Sequence, residues 1–321
     1  MKLGVFTVLF GKLPFEAMLR KVAGFGLVCV ELGTGAYPGS AHCDVERLLE
    51  SKSAAREYLK RIRDAGLFIS ALSCPGNPIH PDKKIARQHH EAFERTVRLA
   101  RQLEVPVINV LSGCPGDSPR AKCPNWITCA WPPEYPECLE WQWSQVVVPY
   151  WKAAAAFANR HGIKRIAVEM HPGFVVYNPE TMLRLREAAG VAVGCNFDPS
   201  HMFWQGIDPC AAVRKLGDAV FHVHAKDTRL YDVNIKINGV LDAKPYSDEK
   251  NRSWIFRTVG YGHDADFWCD FVSTLQMVGY DDVLSIEHED SLMSVDEGLS
   301  KAAAFLNQIV IKEKLKEMWW A

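Results

Sequence analysis

Along this chain short apolar runs alternate with longer stretches in which apolar residues recur every three or four positions. The first pattern has strand length, and the second is that of a helix with one buried face. Eight strands are predicted: Lys2–Leu9, Val28–Leu32, Leu67–Ser73, Val107–Leu111, Ile163–Glu169, Val191–Asn196, Val220–His224 and Asp282–Glu287. A helix follows each: Pro14–Ala23, Asp44–Ala65, Asp82–Leu103, Ser144–Arg160, Asn178–Ala189, Asp208–Leu216, Asp266–Gln276 and Val295–Leu315. The third helix shows the period well, with Ala92, Phe93, Val97, Leu99, Ala100 and Leu103 on one side. Asn178-Pro179 opens the fifth as an N-cap followed by proline. Glycines such as Gly66, Gly162, Gly190 and Gly279 stand where helices should stop. Eight βα units in order predict an α/β fold, one (β/α)8 TIM barrel spanning residues 1–321.

Two connections are far longer than the ~2–6 residues usual for a βα loop. Residues 112–143 follow strand four, and residues 227–264 follow strand seven. Both lie at the carboxyl ends of the strands, the face that carries chemistry in such barrels. The first contains Trp126, Trp131, Tyr135, Trp141 and Trp143. These rings either cover the loop's own backbone or wall a site for a ring-bearing ligand, with Trp126 and Trp131 the candidates for contact. Cys114, Cys123, Cys129 and Cys138 in the same loop are too irregularly spaced to suggest a structural zinc.

Four of the apolar runs end on an acid or an imidazole. They are IAVEMHPG with Glu169, VAVGCNFDPSH with Asp198, VFHVHAKD with His224 and DVLSIEHED with Glu287. A barrel gathers such ends on one face, so three carboxylates and one histidine converge there. That set suits a divalent cation of intermediate hardness: manganese first, then Mg²⁺, Co²⁺ or Zn²⁺. Further side chains flank these positions. His171 alternates with Glu169 and points to the same side, either as an acid or base or as a group orienting Glu169. His222 alternates with His224 in the same way, as a core histidine or a ligand contact. His201 lies three residues beyond Asp198. Glu31 and His80 end earlier strand regions as candidate substrate contacts or ordinary loop residues.

At these strand ends the sequence resembles the xylose isomerase-like barrel superfamily. The resemblance rests on VELGTG, VEMHPG, NFDPSHM, HVHAKD and SIEHED in that order. It implies that Glu169, Asp198, His224 and Glu287 are metal ligands, and that Glu169 and Glu287 also move protons. It implies substrate contacts from His201, Lys226 and Asp227. Arg257 and the turn Gly260-Tyr261-Gly262-His263 resemble a glycine-rich turn of relatives, with His263 a candidate acid. The implied activity is metal-dependent isomerisation or epimerisation of a keto-sugar or inosose, through an enediolate. His171 departs from the ketose-epimerase pattern. With the aromatic loop it supports a runner-up: β-elimination on 3-keto-glycosides, or inosose dehydration. The resemblance extends to catalytic subunits of C-glycoside deglycosidases, which work with a smaller partner subunit.

Composition narrows the field. Lys plus Arg number 37 against 38 for Asp plus Glu, a net charge of −1, so nucleic acid is not an expected partner and the endonuclease branch is disfavoured. No run approaches the ~20 apolar residues that span a bilayer. The N-terminal apolar run reads as a strand rather than a signal segment. Ten cysteines without a CxxC motif, several inside apolar runs, fit a cytoplasmic protein with reduced thiols. A non-catalytic sugar-binding barrel is the alternative from another class; four intact ligand positions argue against it, since idle buried carboxylates are costly. Trp319 and Trp320 near the C-terminus suggest docking on the barrel or on another subunit, and a homo-oligomer is expected.

Overall fold

The computed structural model describes residues 1–313, 318 and 320. Seven strands lie in the first part of the chain: β1 (Lys2–Phe6), β2 (Cys29–Gly33), β3 (Phe68–Ser73), β4 (Val107–Leu111), β5 (Arg165–Glu169), β6 (Val193–Phe197) and β7 (Val220–Ala225). Three more follow: β8 (Asp227–Leu230), β9 (Trp254–Arg257) and β10 (Val283–Ile286). Strands β1 to β7 and β10 form a closed parallel barrel in the order β1-β10-β7-β6-β5-β4-β3-β2. The chain is therefore a (β/α)8 barrel.

The surrounding helices are α1 (Phe15–Gly24), α2 (Val45–Glu50), α3 (Lys52–Asp64), α4 (Lys83–Leu103), α5 (Glu134–Trp141) and α6 (Val148–Arg160). After them come α7 (Pro179–Ala189), α8 (Ser200–Phe203), α9 (Pro209–Leu216), α10 (Asp232–Asn238), α11 (Ala265–Met277) and α12 (Val295–Ile309). Their starts follow local chemistry. Asn178 Oδ1 accepts from the Thr181 amide while the Thr181 hydroxyl answers the Asn178 amide, a reciprocal cap ahead of Pro179. The predicted helix over 44–65 is two helices. Ser51 closes α2, and its hydroxyl caps α3 by accepting from the Ala54 amide. No helix among the described residues is long and apolar enough to cross a membrane.

Three differences from the predicted elements matter for the site. The first strand stops at Phe6 and continues as a 3-10 turn, Thr7–Phe10. The loop after β4 is shorter than its sequence implies, because a helix already starts at Glu134. That helix passes through a π-helical stretch, Gln142–Val147, just before Pro149, whose missing amide interrupts α-helical bonding. The Gln142 side chain donates to the Gly116 and Asn125 carbonyls and so ties the loop to the helix. The segment after β7 holds a hairpin the pattern did not reveal. Strands β8 and β9 pair antiparallel, Asp227 with Arg257 through to Leu230 with Trp254. DTRL and WIFR are too short and too mixed in polarity to announce themselves as strands. The last predicted helix ends at Ile309. Leu315 and Trp319 lie outside the described residues.

Candidate metal centre and adjoining cavity

Glu169 ends β5, Asp198 follows β6, His224 is the penultimate residue of β7, and Glu287 follows β10. Parallel pairing puts these ends on one rim. One ligand atom from each of the four lies within 4.8 Å of the other three. His224 Nδ1 is 3.3 Å from a Glu287 oxygen and 3.8 Å from a Glu169 oxygen. Asp198 Oδ1 accepts from the Ser200 amide at 2.8 Å, while its buried Oδ2 has no hydrogen-bond partner.

Beneath this rim lies a polar floor inside the barrel. Glu31, fully buried, accepts from Ser73 Oγ (2.5 Å), Ser285 Oγ (2.7 Å) and Asn109 Nδ2 (2.8 Å). His224 Nε2 donates to the same carboxylate at 3.1 Å. Burial opposes charge on Glu31, but His224 and His222 and these hydrogen bonds outweigh it and hold its carboxyl down at about 2. With Nε2 committed to Glu31, Nδ1 of His224 is turned toward Glu169 and Glu287. This is the carboxylate–histidine arrangement that fixes a metal-binding imidazole. His222 is neutral: burial, more than the opposing pull of Glu31, pushes it down to about 4. Its Nδ1 meets Asn196 Oδ1 at 3.0 Å.

The two glutamates at the rim are held in opposite states. Burial and the neighbouring Glu287 and Asp198 carboxylates outweigh His224 and Lys226, and push Glu169 up to about 8. Glu287 is also buried, yet Lys226 and His224 hold it well below the ordinary carboxylate range. Lys226 Nζ bonds Glu287 at 2.9 Å and lies 2.8 Å from Glu289 and 3.6 Å from Asp198. Its ammonium sits 4.3 Å over the Phe256 ring. Three crowded carboxylates, an oriented imidazole and an unpartnered Asp198 oxygen fit a divalent cation.

His201 Nε2 lies 3.2 Å from Glu169 and 3.5 Å from Asp198, off the hydrogen-bond direction. Its ring centroid is 4.1 Å from that of His171, whose Nδ1 donates to the Pro172 carbonyl at 2.6 Å. Burial keeps both imidazoles neutral. They border a cavity of about 430 Å³ walled by Trp126, Trp204, Tyr246 and Trp254. A second cavity of about 620 Å³ adjoins it at His171 and Tyr246 and reaches Glu289.

Other predicted residues sit elsewhere. Glu31 is the floor's central acceptor, not part of a substrate wall. Asp227 accepts from the Gly260, Gly262 and His263 amides at 3.0 Å each, and from His263 Nδ1 at 2.8 Å. It organises the turn. His263 is stacked on Phe203 at 3.6 Å and belongs to that turn rather than to the cavity. Gly262 is required there, because a Cβ would collide with Asp227 Oδ1 and the Thr228 carbonyl. Arg257 Nε donates to Asp290 at 3.1 Å, tying β9 to the loop after β10. His80 Nδ1 accepts from the Asp82 amide before α4. Trp131 is 78% exposed, whereas Trp126 lines the cavity. The four loop cysteines do not gather: Cys114 is buried, and Cys123 and Cys129 are exposed. The prediction missed Ser73, Asn109, Asn196 and Ser285, polar residues inside apolar strands, and the wall residues Trp204, Tyr246 and Trp254.

Residues 19–309 match the family described as xylose isomerase-like TIM barrel. The chain belongs to this family. Within it, the uncharacterized protein YfiH of Bacillus subtilis (strain 168) is 38% identical over 312 residues, covering 97% of this chain and 99% of that protein. The probable 3-DHS dehydratase AsbF from Bacillus anthracis superposes with a TM-score of 0.65 at 17% identity, covering 96% of this chain and 99% of AsbF. The 3-keto-D-glucoside 4-epimerase YcjR from E. coli gives 0.64 at 15% identity, covering 96% and 99%. At such identities these two structures share the fold alone.

Proposed function

We propose that this xylose isomerase-like barrel is a divalent-metal-dependent isomerase or epimerase that moves a proton α to the carbonyl of a keto-sugar or inosose. The reading rests on one observation: three carboxylates, two of them glutamates, and an oriented imidazole meet at one point of the rim. Glu169, Asp198, His224 and Glu287 would hold the cation, manganese first among the candidates. When bound, it supplies charge that polarises a carbonyl and an adjacent hydroxyl oxygen, acidifying the hydrogen between them. Glu287, kept ionised by Lys226, takes that proton. Glu169, the second glutamate of the cluster, relays one back from solvent. The two glutamates come from strands three steps apart around the ring, so they approach the substrate from different directions.

A second reading uses the same pair. If Glu169 gives its proton to a leaving hydroxyl on the β-carbon, the outcome is elimination of water. YcjR and AsbF are named for one reaction of each kind. Free thiols at all ten cysteines suit a cytoplasmic setting for either.

The test is incubation of manganese-loaded protein in D₂O with ketoses, inososes and 3-keto-glycosides, followed by NMR and mass spectrometry. Deuterium beside the carbonyl of an isomeric product is the expected result. Loss of water or of an aglycone would select elimination. No exchange and no loss with any compound would overturn both.

A further inference from the structure

The four-residue cluster leaves two imidazoles beside it without a task. His171 and His201 lie outside that ligand set. With Glu169 they form a second group, in which one ligand atom of each residue lies within 4.8 Å of the other two. Glu169 ends β5, His171 follows it by two residues, and His201 sits in α8. The two histidine rings are tilted by 53° with centroids 4.1 Å apart, so they converge rather than lie face to face.

Three observations mark this group as a binding site. His201 is buried, and its Nε2 has no hydrogen-bond partner although it lies 3.5 Å from Asp198 Oδ2, which is buried and unpartnered as well. Two such atoms side by side call for one partner that both can bond. Next, His171 Nδ1 donates to the Pro172 carbonyl at 2.6 Å. A backbone tie on one ring nitrogen leaves the lone pair on the other, the form in which histidine binds metals. Finally, the Glu169 oxygens are divided between the two groups. Oε1 lies 3.2 Å from His201 Nε2, and Oε2 lies 3.8 Å from His224 Nδ1.

We infer that the rim binds a second divalent cation through Glu169, His171 and His201, with Glu169 bridging it to the first. The two sites differ in chemistry. The first offers three carboxylates and one imidazole, the second two imidazoles and one carboxylate, a set that favours zinc over manganese or magnesium. The 3.2 Å between Glu169 and His201 is close to the ligand–ligand edge of a tetrahedron with bonds of about 2.0–2.1 Å. Three protein ligands leave a fourth position for a small oxygen ligand, as in open zinc sites. The cavity of about 430 Å³ that His171 and His201 border gives access to it. The inference rests on the proposed function only for the first cation, and zinc binding tests it apart from any turnover.

Protein stripped with a chelator is loaded with Zn²⁺, freed of excess by gel filtration and analysed for zinc per chain. Crystals of the loaded protein are then measured by anomalous diffraction at the zinc edge. Two equivalents and two peaks are expected, one beside His224 and one between His171 and His201. His171→Ala and His201→Ala should each lose the second equivalent and keep the peak beside His224. Thermal melts of the metal-free variants check that they fold, and His201→Asn replaces the alanine variant if that one does not. Glu287→Gln should weaken the site beside His224 and keep zinc between the histidines. A peak beside His224 alone overturns the second site and leaves the proposed function intact. A peak between the histidines alone supports the second site and sinks the metal centre of that function. Two equivalents retained by the wild type and by both histidine variants, with no peak between the rings, would mean surface binding and overturn the inference.

Discussion

The floor of the barrel and its rim on the β8–β9 side are built on opposite plans. The floor is organised around one carboxylate: Glu31 alone gathers four donors from β3, β4, β7 and β10, while Asn109 Oδ1 and His222 Nε2 are left without a hydrogen-bond partner. On the rim, aromatic residues from separate elements surround a cavity of about 430 Å³. A carboxylate held by four donors has one geometry, which suits positioning of an imidazole for a cation. A cavity of that size leaves room for a molecule that comes and goes. The geometry of the ligand cluster and the space beside it thus come from separate parts of the structure.

That separation can be broken in order of severity. Glu287→Gln should lower deuterium exchange by ~10²–10⁴, the range for losing one acid–base group, and weaken manganese retention measured by elemental analysis. Exchange at the wild-type rate with metal bound would remove Glu287 as the base. Glu31→Gln should reduce metal affinity by ~10–100-fold without touching a ligand directly, because it releases His224. Metal titration with a thermal melt checks this, and undiminished affinity would show that the floor does not set the centre.

Acid acts on the rim and on the floor with opposite sign: Glu169 takes its proton at about 8 in the folded metal-free protein and at 4.5 in the unfolded chain, so it adds stability as pH falls from 8 to 4.5. His222 sits at about 4 in the folded protein against an ordinary 6.5, so protons favour the unfolded chain and stability falls from pH 6.5 to about 4. Glu31 sits at about 2 against 4.5, so the stability its charge confers is present above about 4.5 and lost as pH falls toward 2. With the Glu169 gain removed by Glu169→Gln, the melting temperature of metal-free protein should decline below about pH 6.5. A flat profile from 7 to 4 in that variant would contradict the neutral, buried His222. The mildest change is Gly262→Ala, which crowds Asp227 and should cost ~1–3 kcal/mol of stability. It should loosen the rim and change metal affinity less than Glu31→Gln does, as thermal melts and metal titration on both variants will report.

The contrast also explains what was legible in the sequence. Glu169, Asp198, His224 and Glu287 each end an apolar run, and a parallel barrel brings such ends together whatever the details of packing. The supporting polar residues were half visible. Asn109 in VINVL and Ser285 in VLSI are misplaced polarity within strands, but only burial reveals that they share one acceptor. The rim was not legible, because Trp204, Tyr246 and Trp254 meet through a hairpin of four-residue strands without periodicity. Trp131 has the same composition signal as Trp126 and faces solvent; residue type alone could not separate them.

Strand β7 ends at Ala225 and β8 begins at Asp227, so one residue, Lys226, joins barrel to hairpin. That residue is clamped to Glu287 and Glu289. Asp227 next to it anchors the turn that leaves β9 at the same, barrel-side end of the hairpin. The hairpin therefore has no hinge of its own: swinging it would tear an ammonium out of the acidic cluster. The first residues of β8 and the last of β9 therefore move with the barrel rather than against it, and their amide exchange should be as slow as that of β7 with or without manganese.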